Sequence, residues 1–120
     1  MTDTITAFFD QWSEADGEAR RAALTGLLAP EFLYADPRSP EAIDAVGPLN
    51  DYIGQFTQNA GWTARVVRSD ATAGIVRALI AFSGPGPDGT EMVQHGTYFI
   101  ETEGDRLTRI IGFKGTGAPE

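Results

Sequence analysis

Cysteine is absent from this chain of 120 residues, and histidine occurs once, as His95. The first absence removes disulfides, thiol nucleophiles, cysteine-held zinc and iron–sulfur clusters together. The second removes any multi-histidine metal site. No apolar run approaches the ~18 residues that a membrane helix requires. The opening stretch MTDTITAFFDQW has neither the basic start nor the apolar centre of a secretory signal. Positive charge is scarce as well: nine Lys and Arg stand against 17 Asp and Glu, a formal net charge of −8, and Lys114 is the sole lysine. Such a balance repels phosphate backbones and anionic lipids, so neither nucleic acid nor a membrane is expected as a partner. One cytoplasmic domain spanning 1–120 is expected, because two cores cut from this length would each be too small to hold. Its chemistry must use carboxylates, hydroxyls, Arg or the one imidazole, with no cofactor and no metal.

What is present is ordered patterning. Ile5, Phe8, Phe9 and Trp12 fall at i, i+3, i+4, i+7, one apolar helical stripe, with Thr2, Asp3 and Thr4 as candidate caps. A second helical stretch carries Ala23, Leu24, Leu27 and Leu28 and stops before Pro30. Residues 32–36 read as a short strand closed by Pro37, and the following loop has room for a helical turn at 41–46. Pro48 opens a third helix, striped by Leu49, Tyr52, Ile53 and Phe56 and ended by Asn59 and Gly61. Residues 62–69, 73–83, 90–102 and 106–114 are rich in β-branched and aromatic types, with turn signals at 69–70, 84–89 and 103–105. Short connections make these strands antiparallel. The core spans about 5–114, and the tail 115–120 reads as frayed.

Helices in front of a meander argue for an α+β fold, with three helices packed on one face of the sheet. Gly96 and Gly112 interrupt strands, where glycine marks a bulge or bend that would curl the sheet. Val76, Ala78, Ile80 and Phe82 share one strand face; Ile75, Leu79 and Ala81 share the other. The last strand sets Ile110 on one face and Leu107, Ile111 and Phe113 on the other. Three helices cover one face only, so the outer apolar face is expected to meet a second copy in a homodimer.

The order helix–helix–strand–helix–four strands resembles the nuclear transport factor 2-like superfamily, which includes SnoaL-like proteins and ketosteroid isomerases. The carriers are Trp12 at the end of the first stripe, Arg20-Arg21, Tyr34-Ala35-Asp36-Pro37, Gly47 before Leu49-to-Phe56, Asp105-Arg106-Leu107 and Ile111-Gly112-Phe113. The resemblance implies a curved, mixed or antiparallel sheet wrapped as a cone around three helices, an α+β roll enclosing a pocket. It also implies that Asp36 holds the place of the isomerases' general base. The isomerases' oxyanion-hole tyrosine would fall at Trp12, and their protonated aspartic acid near Thr97. Both donors differ here, which separates the chain from ketosteroid isomerisation itself.

Each candidate has two readings. Asp36 is a base in an apolar pocket or a turn aspartate capping the backbone. Tyr34, two residues away on the same strand face, would supply a phenol. His95 shares a face with Thr97 and Phe99, expected to point inward, where it would pair with Asp36; otherwise it packs at a sheet edge or interface. Trp12, Phe8, Tyr52 and Phe56 line a cavity or simply fill the core. Arg65, Arg68 and Arg77 are strand arginines, solvated or paired with surplus acids. Gly84-Pro85-Gly86-Pro87-Asp88-Gly89 formally fits a phosphate loop, but it joins two strands and two of its amides are proline nitrogens, so it is a hairpin. The reading is a pocket for a small apolar or carbonyl-containing molecule, used for isomerisation, dehydration or cyclisation; the rival is a non-catalytic binding or dimerisation module.

Overall fold

The computed structural model describes residues 2–39 and 41–116. Helix α1 (Thr2–Asp10) runs into a single tight turn, Gln11–Ser13, and α2 (Gly17–Leu27) follows, capped by the Asp16 side chain accepting from the Glu18 amide. Strand β1 (Leu28–Ala35) leads to α3 (Val46–Gly54), which widens into a π-helical turn over Gln55–Asn59. Strands β2 (Thr63–Thr72), β3 (Ile75–Pro85), β4 (Glu91–Glu103) and β5 (Arg106–Lys114) complete the chain. The sheet order is β1-β5-β4-β3-β2, with β1 parallel to β5 and the other pairs antiparallel. The three helices and this mixed, unclosed sheet form the expected α+β fold. No helix among the described residues is long and apolar enough to cross a membrane.

The apolar stripes meet as their spacing requires. Ile5, Phe8, Phe9 and Trp12 of the first stripe, Leu24 of α2, and Leu49 and Ile53 of α3 pack against Tyr34, Val76, Ala78, Ile80, Tyr98, Ile100, Leu107 and Ile110 of the sheet. Near-complete burial of each large side chain contributes about 1.5–3 kcal/mol of transfer free energy, so this one cluster dominates the fold's stability.

Several boundaries differ from the sequence reading. Thr2, Asp3 and Thr4 lie inside α1 instead of capping it. Strand β1 starts at Leu28, because the chain leaves α2 directly in extended conformation. There is no helical turn at 41–46 among the described residues. Ile43 instead exchanges two backbone hydrogen bonds with Tyr34 and covers the free edge of β1. Pro40 and the tail residues 117–120 lie outside the described residues. Helix α3 begins two residues before Pro48, and Phe56 lies in the π-helical turn beyond it. The first hairpin turns at Ala73-Gly74, both with positive φ, and not at Ser69-Asp70, which remain in β2. Two residues of positive φ give the twist that a tight hairpin needs, and Gly supplies one of them without strain.

The two strand glycines are not bulges. Register runs unbroken through Gly96 and through Gly112. The β4–β5 irregularity falls at Thr108, opposite the Glu101–Thr102 step, and it turns Leu107 onto the buried face with Ile110. This overturns the grouping of Leu107 with Ile111 and Phe113. Gly112 faces Tyr98 across the sheet, and a Cβ there would stand 2.6 Å from the Tyr98 ring. Gly96 gives similar room, 3.2 Å from Phe82 and 3.4 Å from Tyr98. Glycine is present to let an aromatic ring lie flat on the sheet. Gly112→Ala therefore overpacks the core. The expected loss is about 1–3 kcal/mol in a urea unfolding curve, whereas Gly74→Ala, with open space around it, carries only the backbone cost of its positive φ.

Candidate active site

Asp36 follows the last residue of β1, where the strand hands over to the Pro37-Arg38-Ser39 turn. Its carboxylate closes that turn: Oδ1 accepts from the amides of Arg38 and Ser39, each at 2.8 Å. The same group also faces inward. Oδ2 accepts from the Tyr34 hydroxyl at 2.5 Å, and the Tyr52 hydroxyl straddles both oxygens at 2.7 and 2.9 Å. The turn-capping and pocket-facing readings of Asp36 thus hold at once in one carboxylate.

Behind it lies a relay of phenols. Tyr34 has one proton and gives it to Asp36, so Tyr98, 2.9 Å from the Tyr34 oxygen, donates to Tyr34. All three phenols are held protonated well above the ordinary tyrosine range. Burial is the main cause for each, reinforced for Tyr34 and Tyr52 by the charge of Asp36 and the hydrogen bond to it. They act as donors and not as phenolates. Tyr34 and Tyr98 are buried, while Tyr52 is half-buried on the pocket side.

The pocket has a volume of about 640 Å³, within the range of small-molecule sites. Trp12, Phe56, Phe82 and Tyr98 form its apolar interior, with Asp36 and Tyr52 on one wall. Trp12 packs edge-on to Tyr52 and Phe56 at 6.1 and 5.1 Å between ring centroids. Its indole Nε1 is the one buried side-chain nitrogen or oxygen without a hydrogen-bond partner among the described residues. Pro37, Arg38, Gln55, Ala60, Gln94, His95, Gly96, Phe113 and Lys114 line the remainder.

The wall bearing Tyr52 and Phe56 is fixed by a buried guanidinium. Arg20, 2% exposed, donates to Asn50 Oδ1 at 2.6 Å, to the Asn50 carbonyl at 3.2 Å, to the Glu14 carbonyl at 2.7 Å and to Gln58 Oε1 at 2.9 Å. Asn50 in turn donates to the Gly17 carbonyl. This one side chain ties α2 to α3 and to the π-helical turn. Gly54 admits it, since a Cβ there would come within 2.8 Å of Nη2.

The structure gathers Asp36, Tyr34, Tyr52, Trp12 and Phe56 in one place. Phe8 packs against Trp12 and Tyr34 in the core behind the pocket and does not line it. The β4 expectation is reversed. Unbroken register puts Gln94, Gly96, Tyr98 and Ile100 on the helix-facing side, and therefore His95, Thr97 and Phe99 on the other. Thr97 donates to the Gly115 carbonyl, and Thr97 and Phe99 border a separate groove on the outer face. His95 stands at the pocket rim and is not among the partners of Asp36. Tyr98 was missed because β4 is apolar in both parities; its signal was its register opposite Gly112, which a single strand does not reveal. Among the described residues no three His, Asp or Glu side chains gather as a metal would need.

No family model matches the chain, and no curated protein does. Solved structures match it over nearly its whole length. A candidate isomerase of the SnoaL-like family from Agrobacterium tumefaciens superposes with a TM-score of 0.77 at 19% identity, over 96% of this chain and 97% of that one. A protein of ketosteroid isomerase-like fold from Catenulispora acidiphila, in complex with trimethylamine, gives 0.77 at 14% identity, over 94% and 85%. A candidate SnoaL-like polyketide cyclase from Jannaschia gives 0.73 at 12% identity, over 93% and 83%. The chain has the nuclear transport factor 2-like fold that SnoaL-like and ketosteroid isomerase-like proteins share.

The raised phenol pKa values set an alkaline limit. Where a folded-state pKa exceeds the ordinary 10.0, the unfolded chain loses the proton first. That stability is whole below the ordinary value and is lost as pH rises toward the folded values. Denaturant midpoints are expected to fall between about pH 9 and pH 11, with phenolate ultraviolet absorbance appearing together with unfolding. Tyr52→Phe should make the fall shallower.

Proposed function

We propose that the chain is a cytoplasmic protein that binds a small, largely apolar, carbonyl-containing molecule in this pocket. It performs acid–base chemistry beside the carbonyl without a cofactor: isomerisation, dehydration or cyclisation. One observation carries the reading. The pocket's single carboxylate, Asp36, is held by four donors, and one of these, Tyr52, stands on the pocket side where a ligand can displace it.

A carboxylate offers about four acceptor positions, so all are filled in the resting site. The two turn amides and the buried Tyr34 stay in place. Tyr52 leaves when substrate enters and gives its hydrogen bond to the substrate carbonyl oxygen. Asp36, freed on that side, takes a proton from the carbon next to the carbonyl; the electron pair moves into an enolate whose oxygen Tyr52 stabilises. Return of the proton from Asp36 to another carbon completes an isomerisation. Loss of a β-hydroxyl, with that proton, would complete a dehydration. Tyr34 and Tyr98 act through Asp36 as positioning residues. Trp12 and Phe56 hold the apolar body, and His95 at the rim takes no step.

The test is hydrogen–deuterium exchange at the α-carbon of an aryl ketone, followed by NMR. Asp36→Asn is expected to lower exchange by about 10²–10⁴-fold, with ketone affinity within about threefold of wild type. Tyr52→Phe, which keeps the ring, should lower the rate and leave Asp36 in place. A second reading is a non-catalytic ligand-binding module, favoured by the filled acceptor positions of Asp36. Tight ketone binding with no exchange above the Asp36→Asn background would establish that reading instead.

The outer sheet face supports a homodimer as its partner reading. Phe113, 54% exposed, packs edge-on against Phe99, and Val93 and Ile75 are also exposed. Two such faces would bury each other's rings. Phe113→Glu is expected to convert a sedimenting dimer to monomer; an unchanged sedimentation coefficient shared by both proteins would exclude this face.

A further inference from the structure

Charge is distributed unevenly around the pocket. The chain carries 17 acidic residues against nine basic, yet the residues lining the pocket include Arg38 and Lys114 and no acid except Asp36. Asp36 is engaged with its own four donors and pairs with neither cation. The ion pairs among the described residues are Arg77 with Asp70 and Arg109 with Glu101, both elsewhere on the sheet. At this opening two cations stand without an acidic partner, on a chain with acid in surplus.

Both cations are set by the backbone. Arg38 follows Pro37, and its amide is locked to Asp36, so its Cα cannot drift. Its guanidinium donates through Nη2 to Gln94 across the mouth, a neutral partner that occupies one corner of a five-donor fork. Lys114 pairs with Gly96 in the β4–β5 ladder. It shares the strand parity of Gly112, whose face meets Tyr98, and therefore belongs to the pocket side. Its ammonium has no hydrogen bond or ion pair among the described residues. The field of Arg38 reaches the interior, where it favours the ionised forms of Tyr52 and Tyr98 against the stronger effect of burial.

We propose that the pocket's ligand is an apolar carboxylic acid, bound as its anion, with the carboxylate at the mouth between Arg38 and Lys114 and the apolar body among Trp12, Phe56 and Phe82. This rests on the reading of the pocket as a ligand site and adds the substrate class. A planar guanidinium fork matches the two oxygens of a carboxylate. The second charge on a neighbouring strand fixes which end of the ligand stays outside. An aromatic pocket with a carboxylate would otherwise suit an organic cation; the two cations at the entrance oppose that choice.

The test is calorimetric titration of the full chain with three probes of one shape: naphthylacetate, naphthylacetamide and naphthylethylammonium. Naphthylacetate is expected to bind about tenfold more tightly than the amide, the scale of one charge-assisted hydrogen bond, with the ammonium weakest and the preference shrinking as salt is added. In the Arg38→Gln, Lys114→Gln double variant, which changes two exposed side chains and whose fold is checked by circular dichroism, the acid and the amide should bind alike. Equal binding of acid and amide to the wild-type chain would overturn the proposal and leave the apolar pocket standing. So would an acid preference that survives in the double variant. Tightest binding of the ammonium would overturn it in favour of a cationic ligand. Binding of none of the three would overturn both the proposal and the pocket reading. Acid preference without α-hydrogen exchange would overturn only the catalytic role of Asp36.

Discussion

A carboxylate that must satisfy the backbone on one side and a pocket on the other is the constraint around which this molecule is arranged. Asp36 cannot move without releasing the Arg38 and Ser39 amides, and so the turn after β1 and the position of its charge are one feature. Tyr34 depends on it for an acceptor, Tyr98 depends on Tyr34, and Gly112 is required because Tyr98 lies where a side chain would otherwise be. A requirement for a single charged group thus propagates through two phenols, across to β4 and back to a glycine on β5, the strand beside β1. Burial keeps the phenols protonated, so the relay supplies donors and draws no charge of its own into the core.

Much of the fold was legible because its signals were local. Helix stripes such as Ile5-Phe8-Phe9-Trp12 depend on a 3.6-residue period, and hairpins depend on short connections. The same locality placed Asp36 and Tyr34 together, two residues apart on one strand. The rest turned on register. In β4 both parities carry large apolar residues, Tyr98 and Ile100 against Val93 and Phe99, so composition does not say which faces the helices. The one-residue irregularity at Thr108 moved Leu107 to the buried face for the same reason. Arg20 enters the sequence reading only within the pattern that carries the resemblance, because nothing in the sequence near it discloses that, besides the Glu14 carbonyl, its acceptors lie thirty and thirty-eight residues away.

The two faces of the sheet differ in what they ask of a partner. The inner face looks onto donors and, from the turn after α1, an indole N–H without a partner among the described residues, an arrangement that suits a small molecule on the proposed reading. The outer face ends in rings and valines beside paired charges, which suits a broad surface. Strand alternation separates the two within a single sheet one residue thick, and on β4 it divides Tyr98 and Ile100 from Thr97 and Phe99, with His95 at the pocket rim between the two roles.

Arg20 has an implication for motion. Its guanidinium is shared by the end of the first helical segment, by α3 and by the π-helical turn, and every acceptor is neutral. Detaching any one segment strands a buried positive charge and the oxygens around it together, a penalty larger than fraying a helix end in water. The three segments therefore open as one cooperative unit, and the pocket wall they form has few intermediate positions available to it. On the proposed function, a ligand would enter by local rearrangement of Tyr52 and the mouth residues, while the aromatic surface around it stays fixed.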